Sequence, residues 1–257
     1  MQIVTWNVNS LKARAEYVGH YLDQAMPDVI GLQELKLDTD HVPVEIFESR
    51  GYHVAMHAQK QWNGVLLASK FPLTEVARGL PAADEGQARL VSAVTGGIRV
   101  VNLYCPQGQS ADSPKFPYKL RFYDALQDWL VANARPDEPL VVTGDLNIAP
   151  EPRDIWDPEG FAGVPSFHPE EHARFARLLD FGLTDAVKPH VPPNTYSFWD
   201  YRGGAFYKKR GMRIDHHLVS ASVAARVERA WVDRQWRKKY EGLTPSDHAP
   251  VGIELRD

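Results

Sequence analysis

The 257-residue sequence has a single cysteine, Cys105, so it cannot form a disulfide within the chain. This agrees with a reducing compartment, and we expect a cytoplasmic location. The sequence has no apolar run of the roughly 20 residues needed to cross a bilayer, so no membrane span is expected. The first residues lack the basic segment and following apolar stretch of a secretory signal, so none is predicted.

The sequence also lacks the strongly basic balance that is common among nucleic-acid-binding proteins, because its formal net charge is -4. The positive charge is concentrated instead. The segment YRGGAFYKKRGMRI, residues 201–214, carries five Lys or Arg residues and no acid, and RQWRKK follows at 234–239. A chain of this kind can hold a polyanion on one face while its carboxylates remain available to a metal.

Internal repeats, low-complexity segments and Gly/Ser-rich linkers are absent from the sequence, so residues 1–257 are predicted to form one domain. Helical periodicity is present at 11–25, 119–134 and 172–179. Short apolar runs typical of buried strands lie at 3–7, 28–34, 64–69, 99–104, 139–145, 213–220 and 250–255. Buried strands with covering helices predict an α/β layered fold.

Polar side chains stand at the ends of these predicted strands. They are Asn7, Glu34, Tyr104, Asp145, Asn147, Asp215, Asp247 and His248. Each taken alone is most simply a turn or cap residue. Asp215 is harder to explain in this way, because a carboxylate inside an apolar strand needs a partner. Since ligands of layered α/β folds gather at strand ends, we expect these side chains to form one site.

The stretch VVTGDLNIAP, residues 141–150, ends an apolar strand with Asp145 and Asn147. Side chains alternate along a strand, so the two are expected on the same face. The composition is also typical of a turn, and the stretch alone does not decide between a turn and a site.

Oxygen donors with one histidine and no cysteine favour a hard cation, Mg²⁺ or Mn²⁺, over structural zinc. Together with phosphate oxygens of a substrate, such a cation indicates phosphoester hydrolysis. A carboxylate would take a proton from water, and a histidine or tyrosine would hydrogen-bond the non-bridging oxygens.

Eight motifs, which run in family order from Asn7 to His248, resemble the exonuclease III family of abasic-site DNA endonucleases, within the endonuclease/exonuclease/phosphatase superfamily. They are WNVNSLKAR, PDVIGLQELK, GVLLASK, NLYCPQG, GDLNIAP, TYSFWDYR, RGMRIDHHLVS and PSDHAPV. The resemblance therefore covers almost the whole chain. It implies a four-layer α/β sandwich, in which two packed mixed β-sheets are flanked by helices.

The resemblance also implies roles for the metal and the attacking water. Glu34 resembles the principal metal ligand, with Asn7 and Asp247 close to the same metal. Asp145 resembles the residue that orients or deprotonates the water, and Asn147 resembles its helper.

The phosphate is assigned to three further residues by the same resemblance. His248 and Tyr104 resemble the residues that contact the scissile phosphate. Asp215 resembles the carboxylate that orients His248, which would supply the partner that a buried carboxylate needs.

Positions that resemble the family's DNA-binding residues are Lys36, Arg89, Gln107, Phe198, Arg202, Phe206, Met212 and Ile214. Phe198, Met212 and Ile214 match an apolar slot for an extrahelical sugar, although Phe198 is also typical of core packing. Arg202 and Phe206 belong to the basic segment 201–214, where the alternative is a solvated surface. The region 150–172 varies in the family and borders this slot, so it could admit or block an abasic sugar.

The sequence thus predicts a Mg²⁺-dependent DNA repair nuclease, with Mn²⁺ as a possible substitute. It would act as a monomer on duplex DNA with abasic sites or 3′ ends, in the cytoplasm at the nucleoid. It would cut 5′ to abasic sites, remove 3′ nucleotides and 3′-blocking groups, or do both. The alternatives are a 3′-end-only exonuclease and 3′-phosphatase, a superfamily phosphodiesterase acting on a phospholipid or inositol phosphate, and a catalytically inactive nucleic-acid-binding protein.

Overall fold

The computed structural model describes residues 1–83 and 86–256, and within these residues it contains two six-stranded β-sheets. The strands are β1 Gln2–Asn7, β2 Val29–Gln33, β3 His53–His57, β4 Val65–Ser69, β5 Thr74–Arg78, β6 Leu90–Thr95, β7 Ile98–Tyr104, β8 Leu140–Asp145, β9 Leu183–Asp185, β10 Asp215–Ser220, β11 Val227–Val232 and β12 Val251–Leu255. The α-helices are α1 Leu11–Ala25, α2 Glu45–Glu48, α3 Lys115–Asn133, α4 Pro169–Asp180 and α5 Ala221–Ala224.

The first sheet has the strand order β11–β12–β1–β2–β4–β3, and the second has the order β5–β6–β7–β8–β10–β9. In the first sheet β1 and β2 run parallel, and in the second β7 and β8 do. All other neighbouring strands are antiparallel. Both sheets are therefore mixed, as the resemblance implied.

Alternation along the strands gives each sheet two buried faces. In β1, Ile3 packs in the cluster between the two sheets, whereas Val4 and Trp6 pack on the opposite face. That outer face is covered by α1 through residues that include Tyr17 and Leu22. On the second sheet α3 and α4 pack over the outer face. The predicted order of four layers, helix, sheet, sheet and helix, is confirmed.

The strands that the sequence pattern missed are β3, β5, β6, β9 and β11. Four of them, β3, β5, β9 and β11, lie at the edges of the two sheets. Edge strands are partly exposed and carry polar residues, so they lack the continuous apolar run that indicates a buried strand. The fifth, β6, is interior but carries Ser92 and Thr95, which are buried polar residues.

Strand register places three of the predicted site residues in one row. Tyr104 pairs with Asp145 across the parallel β7–β8 ladder, and Asp145 pairs with Asp215 across the antiparallel β8–β10 ladder. Gly144 makes this close packing possible, because its φ is 137° and a Cβ there would lie 1.9 Å from the carbonyl oxygen of Leu103. This end of the second sheet is therefore where the side chains converge.

His216 and His217, which follow Asp215, point to opposite faces of β10. The Nε2 of His216 bonds the Ile148 carbonyl, whereas Nε2 of His217 bonds the Val251 carbonyl. Each imidazole therefore has its own backbone partner on its own face of the strand, so the two rings are not arranged to chelate one ion. Separately, none of the helices within residues 1–83 and 86–256 is long and apolar enough to cross a membrane.

Candidate active site

Asn7 joins the acids of the two sheets. Its Nδ2 donates to Glu34 Oε1 at 2.8 Å and to Asp145 Oδ2 at 2.9 Å. Asn7 ends β1, Glu34 follows β2 directly, and Asp145 ends β8. Two carboxylates from different sheets are therefore held within reach of one ligand by a single buried amide.

Glu34 remains ionised although it is half-buried. Burial alone would raise the pKa of Glu34, but the Lys36 ammonium and the Asn7 amide hold that pKa below its ordinary value. Lys36 Nζ lies 2.9 Å from Glu34 Oε2. The backbone of Glu34 has a φ of 57°, which turns the chain out of β2 and aims the carboxylate at Asn7.

Asp145 and Asn147 are arranged differently from the sequence-based prediction. The expectation that strand alternation places them on one face is wrong, because β8 ends at Asp145 and Asn147 has a φ of 54°. The backbone N–H of Asn147 donates to Asp145 Oδ1 at 2.9 Å, and its Nδ2 donates to the Cys105 carbonyl at 2.9 Å. The stretch is thus a turn and part of the site at once. Cys105 itself is buried, as expected for a small packed residue.

His248 lies between two aspartates. Its Nδ1 is 2.9 Å from Asp215 Oδ2, and its Nε2 is 3.8 Å from Asp145 Oδ2. Burial alone would lower the pKa of His248, but Asp215 and Asp145 outweigh it and raise the pKa to about 10. The imidazole is therefore a cation at neutral pH, and it donates from Nδ1 to Asp215. Asp215 is fixed in turn by the Ser197 hydroxyl, which donates to Oδ2 at 2.6 Å.

Tyr104 presents a neutral phenol to the site. Burial raises the pKa of Tyr104 well above its ordinary value, and the neighbouring Glu34 carboxylate adds to the rise. Arg89 lies over the ring, with Cζ 4.8 Å from the centroid, and its Nη1 donates to the Tyr104 carbonyl at 3.1 Å. A phenol held in this way keeps its proton and can donate it in a hydrogen bond.

The oxygen atoms around Glu34 fit a hard cation. Glu34, Asp145 and Asp247 line one cavity, and the described residues that line it include no cysteine. Burial raises the pKa of Asp145, so this carboxylate gains from a cation nearby. Asn7 presents its NH₂ to the carboxylates while its Oδ1 accepts the Asn9 N–H, so in this arrangement it holds the acids together.

Asp145, Asp215 and His248 also offer ligand atoms within 4.8 Å of one another. Two features make this group unlike a metal site. His248 is protonated, and a protonated imidazole has no lone pair for a metal. The nearest Asp215 oxygen already accepts bonds from His248 and Ser197.

The cavity has a volume of about 670 Å³. Predicted site residues at its surface are Glu34, Tyr104, Asp145, Asn147, Asp247 and His248. Asn7 and Asp215 are fully buried beside these residues. All eight polar residues that the sequence singled out therefore converge on one site.

A sequence profile of the Endonuclease/Exonuclease/phosphatase family matches residues 4–248. The chain belongs to this family. The predicted resemblance is confirmed, and so is the prediction of a nuclease-type hydrolase from a divalent-metal-dependent family. Exodeoxyribonuclease III of Haemophilus influenzae is 37% identical over 270 residues, which cover 100% of each chain. The DNA-(apurinic or apyrimidinic site) endonuclease of Dictyostelium discoideum is 24% identical over 98% of this chain and 70% of its own length.

Solved structures of related proteins have the same fold. The 3′ phosphatase NExo from Neisseria, bound to a product DNA hairpin, superposes with a TM-score of 0.93 at 40% identity and covers 100% of this chain and 99% of its own. An AP endonuclease from Archaeoglobus fulgidus superposes with a TM-score of 0.92 at 32% identity, with 99% of each chain covered.

In this family member the three residues predicted for an apolar slot lie together on the cavity wall. Phe198, Met212 and Ile214 all line the cavity, and Phe198 and Met212 form a β-bridge. The Phe198 ring centroid lies 4.9 Å from that of His248. The variable region also lines this cavity, through Trp156, Phe161, Val164, Pro165 and Ser166.

The basic segment 201–214 is only partly as predicted. Arg202 is exposed and lines the cavity, but Asp200 holds its guanidinium at 2.6 Å. Phe206 is only 7% exposed, because it packs on Trp199 and lies under Arg234, so it does not face an incoming strand. The exposed aromatic residue is its neighbour Tyr207, at 88%.

Lys36, Arg89 and Gln107 lie around the same centre. Arg89 and Gln107 line a second cavity of about 660 Å³, and Lys36 lines a third of about 480 Å³. Arg89 is 9% exposed and is committed to Tyr104, so its first effect is to position that phenol. Gln107 is exposed between the first two cavities.

Sequence reasoning missed residues whose role depends on tertiary contacts. Lys119 and Glu171 form a buried ion pair between α3 and α4. Lys119 Nζ also donates to the Asn147 carbonyl at 2.7 Å. The signal for Lys119 was present, since it is a lysine on the apolar side of a helix. Trp62, 73% exposed at the second cavity, had no such signal.

Proposed function

We propose that this chain is a Mg²⁺-dependent DNA repair nuclease that hydrolyses phosphodiesters in duplex DNA. It cuts 5′ to abasic sites, removes 3′ nucleotides and 3′-blocking groups, or does both. The observation that carries the proposal is geometric: Asn7 links Glu34 to Asp145, and His248, paired with Asp215, lies beside them at one cavity with an apolar wall.

Mg²⁺ is the proposed cofactor, with Mn²⁺ as a substitute. Glu34 would hold it, with Asp145 and Asp247 nearby, since these side chains present hard oxygen atoms to the same cavity. When bound, the ion supplies positive charge that stabilises the charge developing on the phosphate.

The protein groups divide the remaining chemistry. Asp145, whose pKa burial raises, accepts a hydrogen bond from the attacking water and takes its proton. Asn147, fixed by Cys105, orients the same water through its free amide oxygen. His248 and Tyr104 donate hydrogen bonds to the non-bridging oxygens, and the Asp215 carboxylate keeps His248 charged.

A DNA strand would cross the site through two adjoining cavities. Both cavities include Glu34, Tyr104, Gln107 and Gln109, so the catalytic centre lies where they meet. One side is apolar, and the other carries amides, cations and the exposed Trp62. Aromatic side chains and cations interleaved in this way suit a sugar–phosphate strand with stacked bases.

The proposal includes two related activities, cleavage at abasic sites and reaction at 3′ ends. The similarity to a 3′ phosphatase and to an AP endonuclease supports both the abasic-site and the 3′-end reactions. The amide-lined, aromatic second cavity favours DNA over the phospholipid or inositol phosphate alternative. The monomeric state and the cytoplasmic, nucleoid-associated location stay predictions.

A gel assay on two labelled duplexes tests the proposal. One duplex carries an internal abasic analogue and the other a nick with a 3′-phosphate, and each is incubated with Mg²⁺ or with EDTA. We expect Mg²⁺-dependent conversion of at least one duplex. Incision of the first identifies an abasic-site endonuclease, and reaction of the second alone identifies a 3′-end enzyme.

The same assay has a clear negative outcome. If neither duplex reacts in Mg²⁺ or Mn²⁺ while a phosphorylated inositol or a phospholipid is hydrolysed, the substrate class is wrong. If no phosphoester reacts and the duplexes are still bound, the chain is an inactive DNA-binding protein.

A further inference from the structure

An arginine without a carboxylate partner lines the active-site cavity. Within residues 1–83 and 86–256, the Arg210 side chain has no ion pair or hydrogen bond, and it lies over an aromatic ring. Its Cζ lies 4.8 Å from the centroid of the Trp156 ring. Arg202, on the same cavity and in the same loop, instead has both its Nε and Nη2 on Asp200.

Trp156 is a fixed platform for this arginine. Its backbone N–H donates to the Gly211 carbonyl at 3.1 Å, and the preceding Ile155 bridges to Met212. The edge of Phe161 packs against the indole, with ring centroids 6.2 Å apart. The platform is therefore tied directly to the chain segment that carries Arg210.

This packing orients the Arg210 guanidinium so that it can bind an anion. A guanidinium that lies over an aromatic ring has its face occupied and its N–H groups directed outward from the edge. Such a fork matches two oxygens of a phosphate, and the platform reduces the freedom that the side chain loses on binding. Arg202 is less suited, because its fork already binds a carboxylate.

We propose that Arg210, held by Trp156, binds a non-scissile phosphate of the DNA strand. This inference rests on the proposed function, since it assumes a DNA substrate at the neighbouring centre. A cavity of about 670 Å³ accommodates roughly one ligand of drug size, so the phosphate belongs to a nucleotide next to the scissile bond. The Arg210 guanidinium gains more from a negatively charged phosphate than from an uncharged base edge, so a phosphate is the better ligand.

Binding of a labelled 3′-recessed duplex, measured by fluorescence anisotropy in EDTA at several salt concentrations, tests the proposal. For Arg210→Ala we expect about tenfold weaker binding, and a slope of log Kd against log salt that is smaller by about 1. With Mg²⁺ present, KM rises in parallel while kcat stays within about twofold. Arg210→Lys, which keeps the charge but loses the fork, recovers part of the affinity.

Two further variants separate the platform from general surface charge. Trp156→Leu keeps Arg210 but removes its support, and we expect an intermediate loss. Lys208→Ala is the matched control, since it removes one exposed positive charge from the same loop outside the cavity, and we expect little change in affinity or salt slope. Thermal unfolding of every variant checks that the fold is intact.

The outcomes are distinct. Wild-type affinity and slope in Arg210→Ala, or an equal loss in Lys208→Ala, overturns the inference while the proposed function stands. A loss that depends on base identity with an unchanged slope also overturns it, because the contact is then with a base edge. If the wild type neither binds nor cleaves DNA, the proposed function fails, and this inference fails with it.

Discussion

At the residue scale, the site depends on a few buried polar groups that set one another's charge. Asn7 holds Glu34 and Asp145 together, and Asp215 keeps His248 protonated. Burial contributes to the protonation states of these groups as well as direct contact does, because charges interact strongly where water is excluded. Removing one member therefore changes the chemistry of its neighbours.

Asp215→Asn tests that coupling through pH. The raised pKa of His248 means that the cation is present below about 10 and is lost as the pH rises through that value. Without the Asp215 charge the pKa falls, so the basic limb of log kcat against pH moves down by about 1 to 2 units. Steady-state rates between about pH 6 and 10.5 measure the shift, and an unmoved basic limb would show that His248 does not carry the proton in question.

At the element scale, helices and strands fix the loops that carry the chemistry. Lys119 on α3 donates to the carbonyls of Asn147 and Gln107, and pairs with Glu171 on α4. Glu171 in turn accepts the N–H groups of Ser166 and His168. One buried ion pair thus connects three loops on the cavity wall.

Lys119→Met should destabilise the fold by about 3–5 kcal/mol, because it leaves Glu171 buried without its partner. Lys119→Met with Glu171→Leu should recover part of that loss. The midpoint of urea unfolding at constant m-value measures both. Lys115→Met, at the exposed start of the same helix, is the control and should remain within about 0.5 kcal/mol of the wild type. A double variant that is less stable than the single one would contradict this account of the pair.

The two sheets are also joined by a polar clamp. The Asn102 amide on β7 donates to the carbonyls of Leu32 and Leu66 in the opposite sheet, at 3.0 and 2.9 Å. Asn102→Ala should cost about 1–3 kcal/mol, since buried acceptors lose their donor. Urea unfolding measures the change against Asn133→Ala, whose exposed amide makes one local bond. Equal losses of unfolding free energy in the two variants would show that the clamp adds little to the stability of the fold.

At the scale of the whole molecule, apolar packing holds the layers together. Three apolar clusters fill the spaces between the layers, so removal of divalent ions should leave the fold unchanged while hydrolysis stops. Circular dichroism and the DNA cleavage rate, measured in EDTA and after addition of Mg²⁺, check the two halves of this prediction. Loss of secondary structure in EDTA would mean that the ion is structural.

Local signals predicted an α/β layered fold and polar residues at the strand ends, because buried interior strands and helix periodicity are visible in the sequence. The arrangement of two sheets in four layers was implied by the family resemblance. Helix α1 has the bounds that were expected, whereas α3 begins at Lys115 and not at Lys119. Edge strands were missed because their exposed positions carry polar residues, which interrupt the apolar run that indicates a buried strand. The turn at Asn147 and the burial of Phe206 were misjudged, since both depend on contacts made by residues distant in sequence.

The central claim is that Asp145 acts directly on the reacting water beside a cation held by Glu34. Single-turnover cleavage of the abasic-site or 3′-phosphate duplex by Asp145→Asn, with excess enzyme and saturating Mg²⁺, tests this claim most directly. We expect the rate to fall by at least about 10³-fold while DNA binding is retained. A rate within about tenfold of the wild type, with DNA bound as before, would contradict it.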